Sequence, residues 1–131
     1  MSEKKTLTLK QIDPSKPRIV RWPVDVQIAA DGGTVTEFTL ETEFLVLTSE
    51  RINALSTDAA LREFNSDKTK PKYATPLLWE VVKGFPGFRE DEGGPVLDAA
   101  ISIPMLLNES AVSASLQGAY FRMVNGLPAK N

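Results

Sequence analysis

Residues 18–46 read RIVRWPVDVQIAADGGTVTEFTLETEFLV, two alternating runs around an Asp-Gly-Gly turn. In the first run Val20, Trp22, Val24, Val26 and Ile28 share one parity, and in the second Thr36, Phe38, Leu40, Thr42 and Phe44 do the same. Side chains alternate between the two faces of a strand, so each run predicts a strand with one apolar face. The turn can be tested for register. A two-residue Gly32-Gly33 loop would set Val26 against Thr39 and Val24 against Glu41, mixing charge into the apolar face. A three-residue Asp31-Gly32-Gly33 loop sets Val26 against Phe38, Val24 against Leu40 and Val20 against Phe44, with Gly33 where a left-handed residue is needed. The opposite face then gathers Arg21, Asp25, Gln27, Glu37, Glu41 and Glu43, with Arg21 opposite Glu43. Pro23 donates no ladder hydrogen bond, so its strand is an edge there or is bulged.

Upstream, Met1–Lys5 are polar and expected to fray. Leu7 and Leu9 alternate with Thr6, Thr8 and Lys10 as a short strand that stops at Asp13-Pro14 and Lys16-Pro17. Downstream the period changes to that of helices. Thr48 or Ser49 caps a helix carrying Ile52 and Leu55, and Thr57 caps another carrying Ala60, Leu61 and Phe64. Asn65–Tyr73 reads as an exposed loop. Thr75-Pro76 opens a helix over Leu77–Lys83 that Gly84 stops, Phe85-Pro86-Gly87-Phe88 is a turn, and Arg89–Pro95 an acidic loop.

The last third, Gly93–Asn131, holds an apolar segment over Leu97–Leu107 that Pro104 either ends near Ile103 or restarts. Asn108 or Ser110 then caps a final helix. Along it Val112, Leu116, Ala119, Tyr120 and Met123 form one stripe, and Ala114, Gln117, Phe121 and Val124 a second, an apolar face wider than one core contact requires. The expected architecture is a single α+β domain over residues 1–131. An N-terminal antiparallel β-hairpin or three-stranded meander (6–46, after disordered residues 1–5) precedes a small bundle of three to four helices (48–125) and a tail (126–131).

Composition narrows the chemistry. The 131 residues include no cysteine and no histidine, which removes disulfides, thiolates, the commonest general base and the commonest metal ligand. No enzyme, cofactor or metal site is expected. Seventeen acids against fifteen bases give a net charge of −2, with no bias toward nucleic acid. The chain shows neither an apolar run of membrane-spanning length nor a signal-peptide core in MSEKKTLTLK, so a cytosolic protein with no membrane partner is expected. Glu37, Glu41 and Glu43 alternate on the outer strand face and read as solvated charge. Lys68, Lys70 and Lys72 beside Tyr73 would suit phosphates, but Trp22 and Phe38 are assigned inward, whereas single-strand binders present their aromatics outward beside positive charge. Glu92-Gly93-Gly94-Pro95 lacks the spacing and lysine of a phosphate loop and reads as a turn.

The order of these features resembles the tail assembly chaperones of tailed bacteriophages and prophages. The matching elements are Pro23-Val24-Asp25-Val26, the Asp31-Gly32-Gly33 turn, the Phe38–Phe44 strand, Val81-Val82-Lys83-Gly84, Asp91-Glu92-Gly93-Gly94-Pro95, Pro104-Met105-Leu106-Leu107, Ala119-Tyr120-Phe121 and the terminal Lys130-Asn131. The resemblance implies a non-enzymatic protein of the bacterial host cytoplasm, absent from the finished particle, that binds the tape measure protein and recruits tail tube subunits. Leu116, Tyr120, Phe121 and Val124 are the expected partner-binding residues, a surface that suits groove packing against an amphipathic helix. Ala129-Lys130-Asn131 can be encoded as GCA AAA AAC, a slippery run, so a frameshifted long form of the chain is a further expected partner. The alternative is a structural tail or connector protein that assembles by strand-edge pairing through the edge near Pro23 or the strand at Leu7–Leu9.

Overall fold

A computed structural model describes residues 4–12 and 16–129 of the protein. Strand β1 (Ile19–Ala30) and strand β2 (Thr34–Leu45) form the hairpin in the three-residue-loop register, pairing Val26 with Phe38, Val24 with Leu40, Val20 with Phe44 and Arg21 with Glu43. Gly32 and Gly33 both hold positive φ, 79° and 75°, which a side chain would disfavour. The Val46 N–H donates to the Arg18 carbonyl across the open end of the hairpin at 2.8 Å. Bonded pairs alternate along an antiparallel ladder, so the even residues of β1 bond inward to β2 and the odd residues face outward. Pro23 is odd, so its missing N–H costs the hairpin nothing.

The third strand does not come from the N-terminus. Residues 4–8 carry no regular structure and Leu9–Ile12 form a short helix, α1, while the expected break at Asp13-Pro14 lies outside the described residues, as do residues 1–3 of the expected frayed end. Thr8-Leu9-Lys10-Gln11 makes the return half of a capping box: the Thr8 N–H and hydroxyl both donate to Gln11 Oε1, at 2.8 and 2.9 Å, and these local bonds outweigh a two-leucine alternation. Strand β3 (Val82–Gly84) supplies the third strand instead, giving the order β1-β2-β3 with Gly84 opposite Glu43. The helix expected over Leu77–Lys83 therefore ends at Val81. Gly84 is not a helix stop but a strand residue, where a Cβ would meet Glu43 Oε1 at 2.9 Å and displace only the end of that side chain.

Between β2 and β3 lie α2 (Ser49–Leu55), α3 (Asp58–Ser66) and α4 (Pro76–Val81), whose first turns are capped by the hydroxyls of Thr48, Thr57 and Thr75. A two-point Arg51–Glu80 pair, at 2.5 and 2.9 Å, ties α2 to α4. It holds the Glu80 carboxyl below its ordinary range and the Arg51 guanidinium above its own. Phe85–Phe88 is a turn, with Pro86 leading Gly87 at φ 80° and the Phe88 N–H donating to the Phe85 carbonyl.

Helices α5 (Ala99–Leu106) and α6 (Ser110–Val124) complete the fold at 102° to each other. Pro104 lies inside α5, which runs through it and ends two residues later at Leu106. Neither Asn108 nor Ser110 caps α6. Asn108 Oδ1 instead accepts the Lys72 N–H at 3.0 Å, pinning the 67–75 loop to the α5–α6 corner. The core lies where α4 and α6 meet the base of the hairpin, with Val24, Phe44, Leu78, Val81, Leu107, Leu116 and Tyr120 each no more than 1% exposed. Among the described residues no single helix is long and apolar enough to cross a membrane.

Candidate functional site

Helix α6 divides its wide apolar face as its two stripes do. Val112, Leu116 and Tyr120 turn inward, and Leu116 and Tyr120 are both 0% exposed. These two expected partner-binding residues are core residues, because the 112–116–120 stripe sits over the even face of β1 and β2. Tyr120 also completes the sheet. Its hydroxyl donates to the Leu45 carbonyl at 2.9 Å and accepts the Leu47 N–H at 3.1 Å, satisfying backbone groups at the end of β2. Its ring meets Phe44 edge-on at 5.3 Å. Burial pushes the phenol above its ordinary pKa, against the opposing effect of the Leu47 bond.

The second stripe is mixed: Ala114 and Phe121 face outward, whereas Val124 packs at the margin of the core and Gln117 Oε1 accepts from the Thr75 hydroxyl at 3.5 Å. Phe121 is 36% exposed and Val124 half-buried. The helix then stops in a Schellman turn: the Gly126 N–H donates to the Met123 carbonyl and the Leu127 N–H to the Arg122 carbonyl, with Gly126 at φ 72°. Leu127 emerges 47% exposed just past the helix end, and the Arg122 guanidinium holds the Pro128 carbonyl, so the tail turns back on the helix. Leu127 was missed in the sequence, although Asn125-Gly126-Leu127 is the signal of a helix stop whose next apolar side chain packs or protrudes there. A separate apolar pair, Ile101 and Met105, lies one turn apart on the exposed side of α5.

The hairpin makes a third exposed region. Phe38, assigned inward by alternation, keeps its register but is 54% exposed, and Ile28 on the same face is 37% exposed, because no helix reaches the tip. A cleft of about 790 Å³ runs between the outer edge of β1 (Trp22, Pro23, Asp25, Gln27) and the small residues of α6 (Ala111, Ala114, Ser115, Gly118).

The charged features behave as surface. Asp25 accepts from Thr39 at 3.4 Å, Gln27 donates to Glu37 at 3.4 Å, and Arg21 lies 4.0 Å from Glu41 rather than pairing with Glu43. Lys70 sits 4.9 Å over the Trp79 ring and Lys72 5.4 Å over Tyr73, so these lysines fold onto their own aromatics. The hairpin bearing exposed Phe38 carries Asp25, Glu37 and Glu41, the wrong charge for a phosphate backbone. The acidic loop is a stapled turn: Arg89 bridges Val96, the Arg89 guanidinium donates to the Gly94 carbonyl, and the Leu97 N–H donates to the Phe88 carbonyl at 2.8 Å. Among the described residues no group of three or more carboxylates is placed to hold a metal ion. No protein-family model, curated protein or solved structure matches the chain.

Proposed function

We propose that this protein is a tail assembly chaperone of a tailed bacteriophage or prophage, working in the bacterial cytoplasm by binding the tape measure protein and recruiting tail tube subunits. The proposal rests on the order of sequence elements set out above. The structural observation that supports it is the apolar patch at the end of α6: Phe121 on the helix and Leu127 just past its Schellman turn are 36% and 47% exposed beside the half-buried Val124, while the Val112–Leu116–Tyr120 stripe already fills the core. A tape measure is a long, amphipathic, aggregation-prone chain, and a short run of exposed large apolar groups on a rigid helix covers such a surface by groove packing. Leu116 and Tyr120 take no direct part and hold the helix in place. The expected frameshift run at Lys130-Asn131 lies outside the described residues, and reading the gene decides it.

Co-expression with the tape measure protein tests the reading. Phe121→Asp together with Leu127→Asp should abolish co-purification, and Leu127→Asp alone, at the more exposed site, should weaken it while thermal unfolding stays within about 3 °C of the parent. Undiminished co-purification would remove this surface from the proposal. Mass spectrometry of purified particles separates the alternative, since a chaperone is missing from the particle and a structural tail or connector protein is present.

A further inference from the structure

Asn125-Gly126 is the one Asn-Gly pair in the chain, and it sits where α6 ends. Asparagine before glycine is the pair most prone to deamidation, because a residue without a Cβ leaves its backbone nitrogen open to the preceding side chain. The Gly126 nitrogen attacks Asn125 Cγ, a C–N bond forms as the Cγ–Nδ2 bond breaks, and the displaced nitrogen takes up the amide proton and leaves as ammonia. Solvent water then opens the five-membered succinimide at either carbonyl. The products are aspartate and an isoaspartate whose main chain runs through Cβ. Both residues are exposed, and nothing stands within 4 Å of where a Gly126 side chain would point, so water reaches the ring.

The fold holds the pair in an unreactive arrangement. Asn125 has ψ 8°, which sets the Gly126 nitrogen nearly in line with the backbone nitrogen of Asn125, whereas ring closure needs it in line with Cβ. The Gly126 N–H is also engaged, donating to the Met123 carbonyl at 3.1 Å. Asn125 Nδ2 donates to the Phe121 carbonyl at 2.8 Å, which pins the side chain back along the helix. Beyond the pair, the Leu127 N–H donates to the Arg122 carbonyl at 2.9 Å and the Arg122 guanidinium holds the Pro128 carbonyl at 2.8 and 3.2 Å. Reaction therefore requires the whole turn to open.

We infer that Asn125 is a modification site, a deamidation whose rate is set by opening of the α6 Schellman turn and whose products leave that turn weakened. The aspartate product loses the donor to the Phe121 carbonyl and sets a negative charge against the negative end of the helix dipole. The isoaspartate product adds one carbon to the main chain between Arg122 and Leu127, so the bond joining them no longer closes in register. Either product loosens the hold on Leu127. The reaction needs only the helix end and solvent, so it stands apart from tape measure binding.

Each product carries one more negative charge than the parent, so ion exchange resolves it and peptide mapping locates it. During incubation in neutral buffer the folded parent should gain this acidic form about tenfold or more slowly than the free peptide of residues 121–129, since several hydrogen bonds must open together. Arg122→Ala removes the hold on Pro128 but leaves residues 123–128 unchanged. It should speed the folded chain by about threefold or more and leave the matching peptide at its own rate. Hydrogen exchange on the purified acidic form should show the Leu127 amide less protected than in the parent. A parent as fast as the peptide, a parent that gains no acidic form, an acidic form that maps to another residue, an Arg122→Ala chain no faster than the parent, or a Leu127 amide still protected would overturn the inference. Should Arg122→Ala unfold, the comparison of parent with peptide and the exchange measurement still decide it.

Discussion

At the base of the hairpin Val24 and Phe44 are 1% and 0% exposed, whereas at its tip Ile28 and Phe38, on the same face of the same two strands, are 37% and 54% exposed. Both regions obey one alternation and one register. They differ in what lies above them. The base is roofed by α4 and α6, and Tyr120 ties α6 to the end of β2 through two hydrogen bonds. The tip has only its own ladder. Alternation therefore reports which way a side chain points, and a second element decides whether that direction is inside.

The comparison predicts large effects at the base. Phe44→Ala should cost about 3–5 kcal/mol in denaturant unfolding, the range for removing a fully buried phenylalanine. A smaller loss would mean the roof is looser than its burial implies. Tyr120→Phe keeps the packing but strands the Leu45 carbonyl and Leu47 N–H, and should cost about 1–3 kcal/mol. It also has a pH signature. Burial raises the folded-state pKa of Tyr120 above its ordinary value of 10.0, so its contribution is fully present below pH 10 and lost as pH rises through the folded pKa. Tyr120→Phe should flatten that part of the alkaline stability loss, which a comparison of unfolding midpoints from pH 9 upward would detect.

The hairpin was the most legible part of the chain, because the turn length, Gly33 and the placement of Glu41 together allow only one register. The three threonine caps were legible for the same reason, each being a local bond to a near neighbour. What sequence could not supply was cover. The exposure of Phe38 depends on how far the helices reach toward the tip, and the burial of Leu116 and Tyr120 depends on which of two adjacent stripes meets the sheet. Strand β3 was hidden because Val81-Val82-Lys83-Gly84 extends a helical pattern until Gly84 finds Glu43 about 40 residues upstream, a long-range pairing that local propensity does not encode. Half of the expected partner surface was thus core, and the half that remains, Phe121 and Val124, gained Leu127 from the helix stop.

The division of the hairpin is tested most directly by Phe38→Ala, measured beside Phe44→Ala in the same denaturant series. With no roof to lose, Phe38→Ala should stay within about 0.5 kcal/mol of the parent. A loss approaching that of Phe44→Ala would mean that the tip is packed in solution, and the contrast between base and tip would fail.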